Sequence, residues 1–280
     1  MFSLLLPHAA AVVKNGRNRT LLITDPHIGW EMELQKKGIH LPSQTAKIFT
    51  KLETILKEYQ PDALTIIGDV KYTVTSSELG EWQDIPEFFK KLQPLVQKIS
   101  VVRGNHDANL EPLLPENVEL LPATGVVIGD VGIFHGHKWP SPVLLGCKTL
   151  VMGHMHPVVV FRDPVGCRLT RQVWLHTKID NDILGRILLK KAGLKIENSV
   201  AETLRVHFGM DLATSELYIM PSFNDFLGGR PINENRPRKE KGSETSIGPV
   251  LRSDAVSVEN AELYLLDGTF LGTANQLRTL

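Results

Sequence analysis

An α/β sandwich, two facing mixed sheets flanked by helices in four αββα layers, is the fold this sequence predicts. Three observations carry it. Up to Val102, short apolar β-branched runs alternate with helical stretches, the spacing of a parallel sheet with helices on its faces. Beyond Val118 the runs shorten and are separated by Gly, Pro and Asp, a β-rich half able to pack as a second sheet. With 280 residues and 42% apolar content, the chain can bury a sizeable core.

The opening MFSLLLPHAAAVV lacks a basic leader region, is interrupted by Pro7 and His8, and runs into Lys14-Asn15-Gly16-Arg17. That is a hairpin turn, which predicts a strand paired with 20–24 rather than a secretory signal. Residues 21–24 form an apolar run ending at Asp25. A helix is predicted over 43–59, with Ile48, Leu52, Ile55 and Leu56 on one face, Ser43 as N-cap and Pro61 beyond the end. Ala63–Ile67 is the next strand and ends in Gly68-Asp69. A helix over Leu79–Leu92 tolerates Pro86 only near its start or at a break. The strand at 99–102 leads into Gly104-Asn105-His106-Asp107.

Short strands follow at Val118–Leu121, 125–128, 131–135, Thr149–Met152, 158–161 and 172–175, with Gly129-Asp130 as a hairpin turn. Residues 181–209 read as two helices. Gly193 suits the C′ position of the first, and Ser199 with Glu202 makes a capping-box signal for the second. The pair either caps a cleft or is a surface insertion. Late strands are expected at 216–221 and 262–266. The stretch 230–249 is rich in Pro, Gly, Ser and charge and reads as a mobile loop. Its cluster Arg236, Arg238, Lys239 and Lys241 is either a solvated face or a phosphate-contacting arm. The whole is one domain over 1–280 with a helical insertion at about 180–209.

Five short blocks stand at the ends of apolar runs: TDPHIG, IIGDVK, VRGNHD, FHGH and MGHMHP. They bring Asp25, His27, Asp69, Asn105, His106, His135, His137, His154 and His156 to strand tips. Rigid strand tips let ligands distant in sequence converge. Carboxylates, a carboxamide and imidazoles form the donor set for a pair of divalent cations. Such a pair, about 3.5–4 Å apart and sharing a hydroxide and a carboxylate, activates water against a phosphoester. Oxygen and imidazole donors without thiolates suit Mn, Fe, Zn, Co or Ni, with Mn the first expectation.

In these blocks the chain resembles the calcineurin-like metallophosphoesterases, over roughly residues 4–175 and more loosely in PSFNDFLGG and AELYLLDG. Within them it is most similar to small phosphoesterases related to the SbcD nuclease subunit, among them ligase-associated DNA-damage-response endonucleases. The markers are TDPHIGWE, IIGDVK with Trp82 soon after, and HGHKWP. The resemblance implies that Asp25, His27 and His156 hold one metal and that Asp69 bridges. Asn105, His135 and His154 complete the second. His106 contacts phosphate and protonates the leaving oxygen, a transfer worth about 10²–10⁴ in rate. Asp107 either orients His106 or is a solvated turn residue. Related nucleases carry a His where Tyr72 stands; a phenol can donate to phosphate but brings no imidazolium charge.

Of His135 and His137 the resemblance favours His135 as ligand, leaving His137 as a neighbouring or phosphate contact. His8, His40, His176 and His207 read as surface or core histidines. The four tryptophans default to core packing, except that Trp30 and Trp139 follow site loops and can line a substrate cleft. The expected partner is a phosphoester, with DNA or RNA among the candidates. A phosphatase or nucleotide hydrolase, or an idle scaffold on the same fold, are the competing readings. The formal net charge of zero gives no long-range argument for nucleic acid or membrane. Cys147 and Cys167 make no disulfide framework, and no apolar run approaches the ~18–20 residues of a membrane span, so a soluble cytoplasmic protein is expected. Oligomeric state is not readable.

Overall fold

The computed structural model describes residues 1–74, 79–234 and 247–278. Its first sheet is built from β1 (Phe2–Leu4), β2 (Ala11–Asn15), β3 (Asn18–Thr24), β4 (Ala63–Ile67), β5 (Lys98–Val102) and β6 (Val118–Leu121), in that spatial order. β3 to β6 are parallel, with Thr24 opposite Ile67 and Ile67 opposite Val102. Three neighbouring strands therefore end at one level, which aligns the loops that follow them.

Strand alternation splits the apolar residues cleanly. Leu21, Ile23, Leu64, Ile66, Ile99 and Val101 face α2 (Thr45–Tyr59) and α3 (Leu79–Leu92), which contribute Leu52, Ile55, Phe88 and Phe89. Leu22, Ile67 and Val102 face the opposite way, onto Ile133, Val151, Trp174 and Met220 of the second sheet. Burying each such side chain is worth about 1.5–3 kcal/mol.

The second sheet comprises β7 (Val126–Ile128), β8 (Val131–Ile133), β9 (Thr149–Met152), β10 (Pro157–Arg162), β11 (Arg168–Lys178), β12 (Glu216–Ile219), β13 (Arg230–Pro231), β14 (Glu262–Leu265) and β15 (Phe270–Thr273). Its outer face, with Leu150, Met152, Val173 and Leu175, packs against α4 (Asn181–Lys191) and α5 (Val200–Phe208) through Leu184, Leu188, Leu189, Val200 and Leu204. Helix, sheet, sheet, helix is the predicted four-layer order. The helical pair forms the outer layer itself rather than a lid.

Several local expectations need correction. α2 starts at Thr45 with Gln44 at its cap; Ser43 lies one residue outside, where its hydroxyl accepts from the Thr45 amide and pairs with Asp84. Pro86 sits inside α3. Buried Ile85, Phe88, Phe89 and Leu92 outweigh the roughly 3 kcal/mol such a proline costs. Trp174 is core, but Trp82 is 50% exposed. The predicted loop at 230 begins as edge strand β13, parallel to β10, and Asn233 closes on the Val160 N–H and C=O at 2.9 and 2.8 Å. Residues 235–246, with Arg236, Arg238, Lys239 and Lys241, lie outside the described residues. Ser199 caps α5 through the Glu202 amide, and Gly193 follows α4 at positive φ, both as expected. No helix among the described residues is long and apolar enough to cross a membrane.

Candidate metal centre

The five sequence blocks meet. Asp25 follows β3, Asp69 follows β4, Asn105 and His106 follow β5, His135 follows β8, and His154 and His156 follow β9. Three groups of donor atoms lie within 4.8 Å of one another: Asp25, His27 and His156; His27, Asp69 and His106; Asp69, His135 and His154. Seven described non-glycine residues have positive φ, and five of them are Asp25, His27, Asp69, His154 and His156. Backbone held there costs on the order of 1–3 kcal/mol per residue, and its concentration on these five points to a site imposed on the fold.

The two carboxylates are each half committed. Asp25 Oδ2 accepts from the Thr24 hydroxyl at 2.7 Å and the His154 amide at 3.0 Å. Its Oδ1 faces His156 Nε2 at 3.3 Å, and both of these buried atoms lack a hydrogen-bond partner. Asp69 Oδ1 accepts from the His106 amide at 2.9 Å. Its Oδ2 faces three imidazoles: His135 at 3.4 Å, His27 at 3.5 Å and His106 at 3.9 Å. Asn105 Oδ1 lies 3.2 Å from His135 Nε2, while His135 Nδ1 meets the Ile67 carbonyl at 2.9 Å. Close approach is permitted by glycine: a Cβ on Gly104 would strike Asp69, and one on Gly153 would strike Thr24 and Asp25.

Electrostatics agree with this geometry. Burial would raise the Asp25 carboxyl, but His156 and His135 hold it at about 2. Burial opposes ionisation of Asp69 as well, and His135, His27 and His106 overcome it, leaving Asp69 far below the carboxylate range. Burial drives His27 down to about 3 despite Asp69, and His154 to about 4 with the charge of His135 adding to it. His135 alone goes the other way: burial disfavours its charge, yet Asp69 and Asp25 raise it to about 10. Buried anionic oxygens among imidazole nitrogens, with Asp25 Oδ1 and His156 Nε2 unpartnered, fit a divalent cation with oxygen and nitrogen ligands.

The family model for calcineurin-like phosphoesterases matches residues 18–172, which contain all five blocks. This chain belongs to the calcineurin-like phosphoesterase family. Membership places it among hydrolases acting on phosphoester bonds. The phosphoesterase is also 26% identical over 254 residues to the SbcD component of the nuclease SbcCD from Bacillus subtilis (strain 168), covering 88% of this chain. It spans 56% of that relative's length. The crystal structure of the Pseudomonas putida nuclease MPE shares the fold, with a TM-score of 0.52 at 19% identity over 95% of this chain and 94% of that one.

Other predicted residues of the phosphoesterase fall into place unevenly. His106 keeps an accessible ring, its Nδ1 on the Tyr72 carbonyl, so Nε2 is the nitrogen left toward Asp69 and the opening. Asp107 is neither of the two things expected of it. It is fully buried and accepts from the amides of Gly104 (2.7 Å), Asp69 (2.8 Å) and Val70 (2.8 Å), tying the second and third blocks together. Burial and the charge of Asp69 push it up to about 6 against those donors. His137 belongs to none of the donor groups; its ring stands 5.2 Å from that of His135, at the rim. Burial and His135 lower it to about 4. The Tyr72 ring lies 5.7 Å from His27 and 6.0 Å from His106. Trp30 stacks on Phe226 at 5.5 Å, and Trp139 carries Lys191 over its ring at 5.2 Å.

Sequence reasoning missed the residues that fasten the first block from behind. Ser222 donates to the Asp25 carbonyl at 2.8 Å, Asn224 to the Pro26 carbonyl at 2.9 Å, and the Phe223 amide to Thr24 at 2.8 Å. The signal was present in PSFNDF, whose polar residues follow a predicted strand, but nothing in one sequence says which loop they touch.

Proposed function

We propose that this chain is a dinuclear-metal phosphodiesterase acting on nucleic acid. Asp25, His27 and His156 hold one cation, Asn105, His135 and His154 the other, and Asp69 is shared. The observation that supports this best is Asp69 Oδ2, a single carboxylate oxygen within 3.4–3.9 Å of three imidazoles while its partner oxygen is tied to the backbone. Bound there, divalent cations, Mn first among Mn, Fe, Zn, Co and Ni, supply charge for the phosphoryl oxygens and lower the pKa of the attacking water. Thr24 and the His154 amide orient Asp25 so that only Oδ1 remains for a ligand. The Tyr72 carbonyl fixes His106 with Nε2 outward, where it can hand a proton to the departing oxygen. Tyr72, beside His27 and His106, and His137, beside His135 and His154, are the side chains that donate to or line the path of the phosphoester.

The similarity to a nuclease component supports the diester reading. A second reading, phosphatase action on a small phosphorylated molecule, is favoured by Tyr72 alone, which lacks the imidazolium charge for a bridging diester. The deciding assay offers the protein an aryl monoester, a bis-aryl diester and single-stranded DNA with Mn, Ni, Co and Zn in turn. Diester and DNA cleavage is expected; a panel with no diester turnover in any metal ends the proposal.

A further inference from the structure

α3 buries Ile85, Phe88, Phe89 and Leu92 at helical spacing, and the same stripe begins with a carboxylate, Glu81, that is just as fully buried. A charge removed from water must be satisfied by its surroundings. Glu81 is satisfied by the loop that follows the second block. Its Oε1 accepts from the amides of Tyr72 at 3.0 Å and Thr73 at 2.8 Å, and its Oε2 from the Thr73 hydroxyl. Gly29 of the first block, at φ +91, packs so closely that a Cβ there would stand 3.0 Å from Glu81 Cγ. Buried Lys71 donates to the Thr73 carbonyl, and of the carboxylates around it Glu81 acts on its charge most strongly. The Tyr72 amide also donates to the Ile28 carbonyl at 3.0 Å, so the loop is gripped from the first block and from α3 together.

The Tyr72–Thr73 peptide carries this grip to the metal centre. A trans peptide is a rigid plane with its N–H and C=O on opposite edges. Here the N–H ends on Glu81 and the C=O meets His106 Nδ1. A carbonyl can only accept, so Nδ1 carries the proton and Nε2 is left on the Asp69 side. Asp107 does not share this task, because both its oxygens are spent on backbone amides. From this juxtaposition we infer that Glu81 is a positioning residue for His106: through one peptide unit it aims the Tyr72 carbonyl and so sets the tautomer and direction of the imidazole. Hydrogen bonds in such a chain polarise one another, so an anion on the N–H also makes the carbonyl a better acceptor. The inference rests on His106 as the leaving-group acid of the phosphoesterase reading above.

The test first reads the neutral His106 ring by long-range ¹H–¹⁵N correlation in the EDTA-treated protein, its signals assigned by their loss in His106→Ala. The wild type should show the Nδ1–H tautomer. Glu81→Ala should move the ring toward Nε2–H, and Glu81→Gln, which keeps an oxygen for both amides, should restore it. With Mn added back, Glu81→Ala should lower kcat roughly 10–100-fold on a diester with a phenolate leaving group, the cost of a misaimed acid. The loss should be much smaller with p-nitrophenolate, which departs without needing a proton. In a His106→Ala background the same substitution should change kcat by no more than about twofold, because the group it acts through is gone. Metal content by elemental analysis should be equal throughout. An unmoved tautomer in Glu81→Ala, a loss of its metal, or an equal fall in kcat with and without His106 overturns the inference. Should Glu81→Ala not fold, Glu81→Leu with Lys71→Met exchanges both buried charges for apolar side chains and is read in the same way. A moved tautomer in a protein without diester turnover sinks the diesterase reading and leaves the hold on His106 standing. Turnover with an unmoved tautomer sinks the role of Glu81 alone.

Discussion

Asp69 and Asp107 show how two carboxylates one loop apart take opposite work. Asp69 Oδ2 points into the imidazole cluster, whereas both oxygens of Asp107 are spent on three backbone amides behind it. Asp69→Ala should therefore remove metal from both positions, read as less than one equivalent by elemental analysis; two retained equivalents would show that Asp69 is not shared. His106→Ala should keep its metal and lose about 10²–10⁴ in kcat. A parallel loss of metal would make His106 a ligand, as its place in one donor group allows. Asp107→Asn replaces an acceptor-only group with one that must donate from one side. It should cost about 1–3 kcal/mol of stability and loosen metal binding, read as a lower thermal midpoint and weaker metal titration. At this scale the blocks named the metal-site candidates, but Asp107 was open between orienting His106 and facing solvent. A turn residue followed by solvent and one followed by a neighbouring loop are identical in sequence.

Among elements, the parallel strands were legible because their apolar residues alternate between two buried faces, leaving runs such as Ala63–Ile67 with no polar side to confuse the reading. Short edge pieces were not: β1, β13, β15, α1 (Glu31–Lys36) and α6 (Ala274–Arg278) are two to six residues long and exist through pairing or docking rather than propensity. Two glycines mark where elements nearly touch. Gly104→Ala should force the Asp69 carboxylate aside, lowering metal occupancy and costing about 1–3 kcal/mol. Full metal content in that variant would mean that the loop gives way freely. Ser199→Ala should cost about 1 kcal/mol through the lost cap on α5, with turnover unchanged because α5 lies in the outer layer, on the face of the second sheet away from the first. A fall in kcat there would tie the outer layer to the chemistry.

For the molecule as a whole, the site is a seam between two sheets: Asp25, His27, Asp69, Asn105 and His106 come from the first, His135, His154 and His156 from the second. Cations bound across it should clamp the sandwich. At a hundredfold excess over Kd each contributes about 2.7 kcal/mol, raising the thermal midpoint by several degrees, and EDTA should reverse the shift. A midpoint indifferent to Mn and EDTA would deny binding in the folded state. The sequence by itself determined the layers and the roster of donors, because both are written in local terms: apolar period and residue type at strand ends. Only the tertiary structure decided which carboxylate oxygen faces the imidazoles, that His135 enters the cluster while His137 stays outside the donor groups, and that Ser222 and Asn224 brace Asp25 and Pro26 from nearly two hundred residues away. Those choices depend on the register between two sheets and on where distant loops come to rest, and no short stretch of chain carries that information.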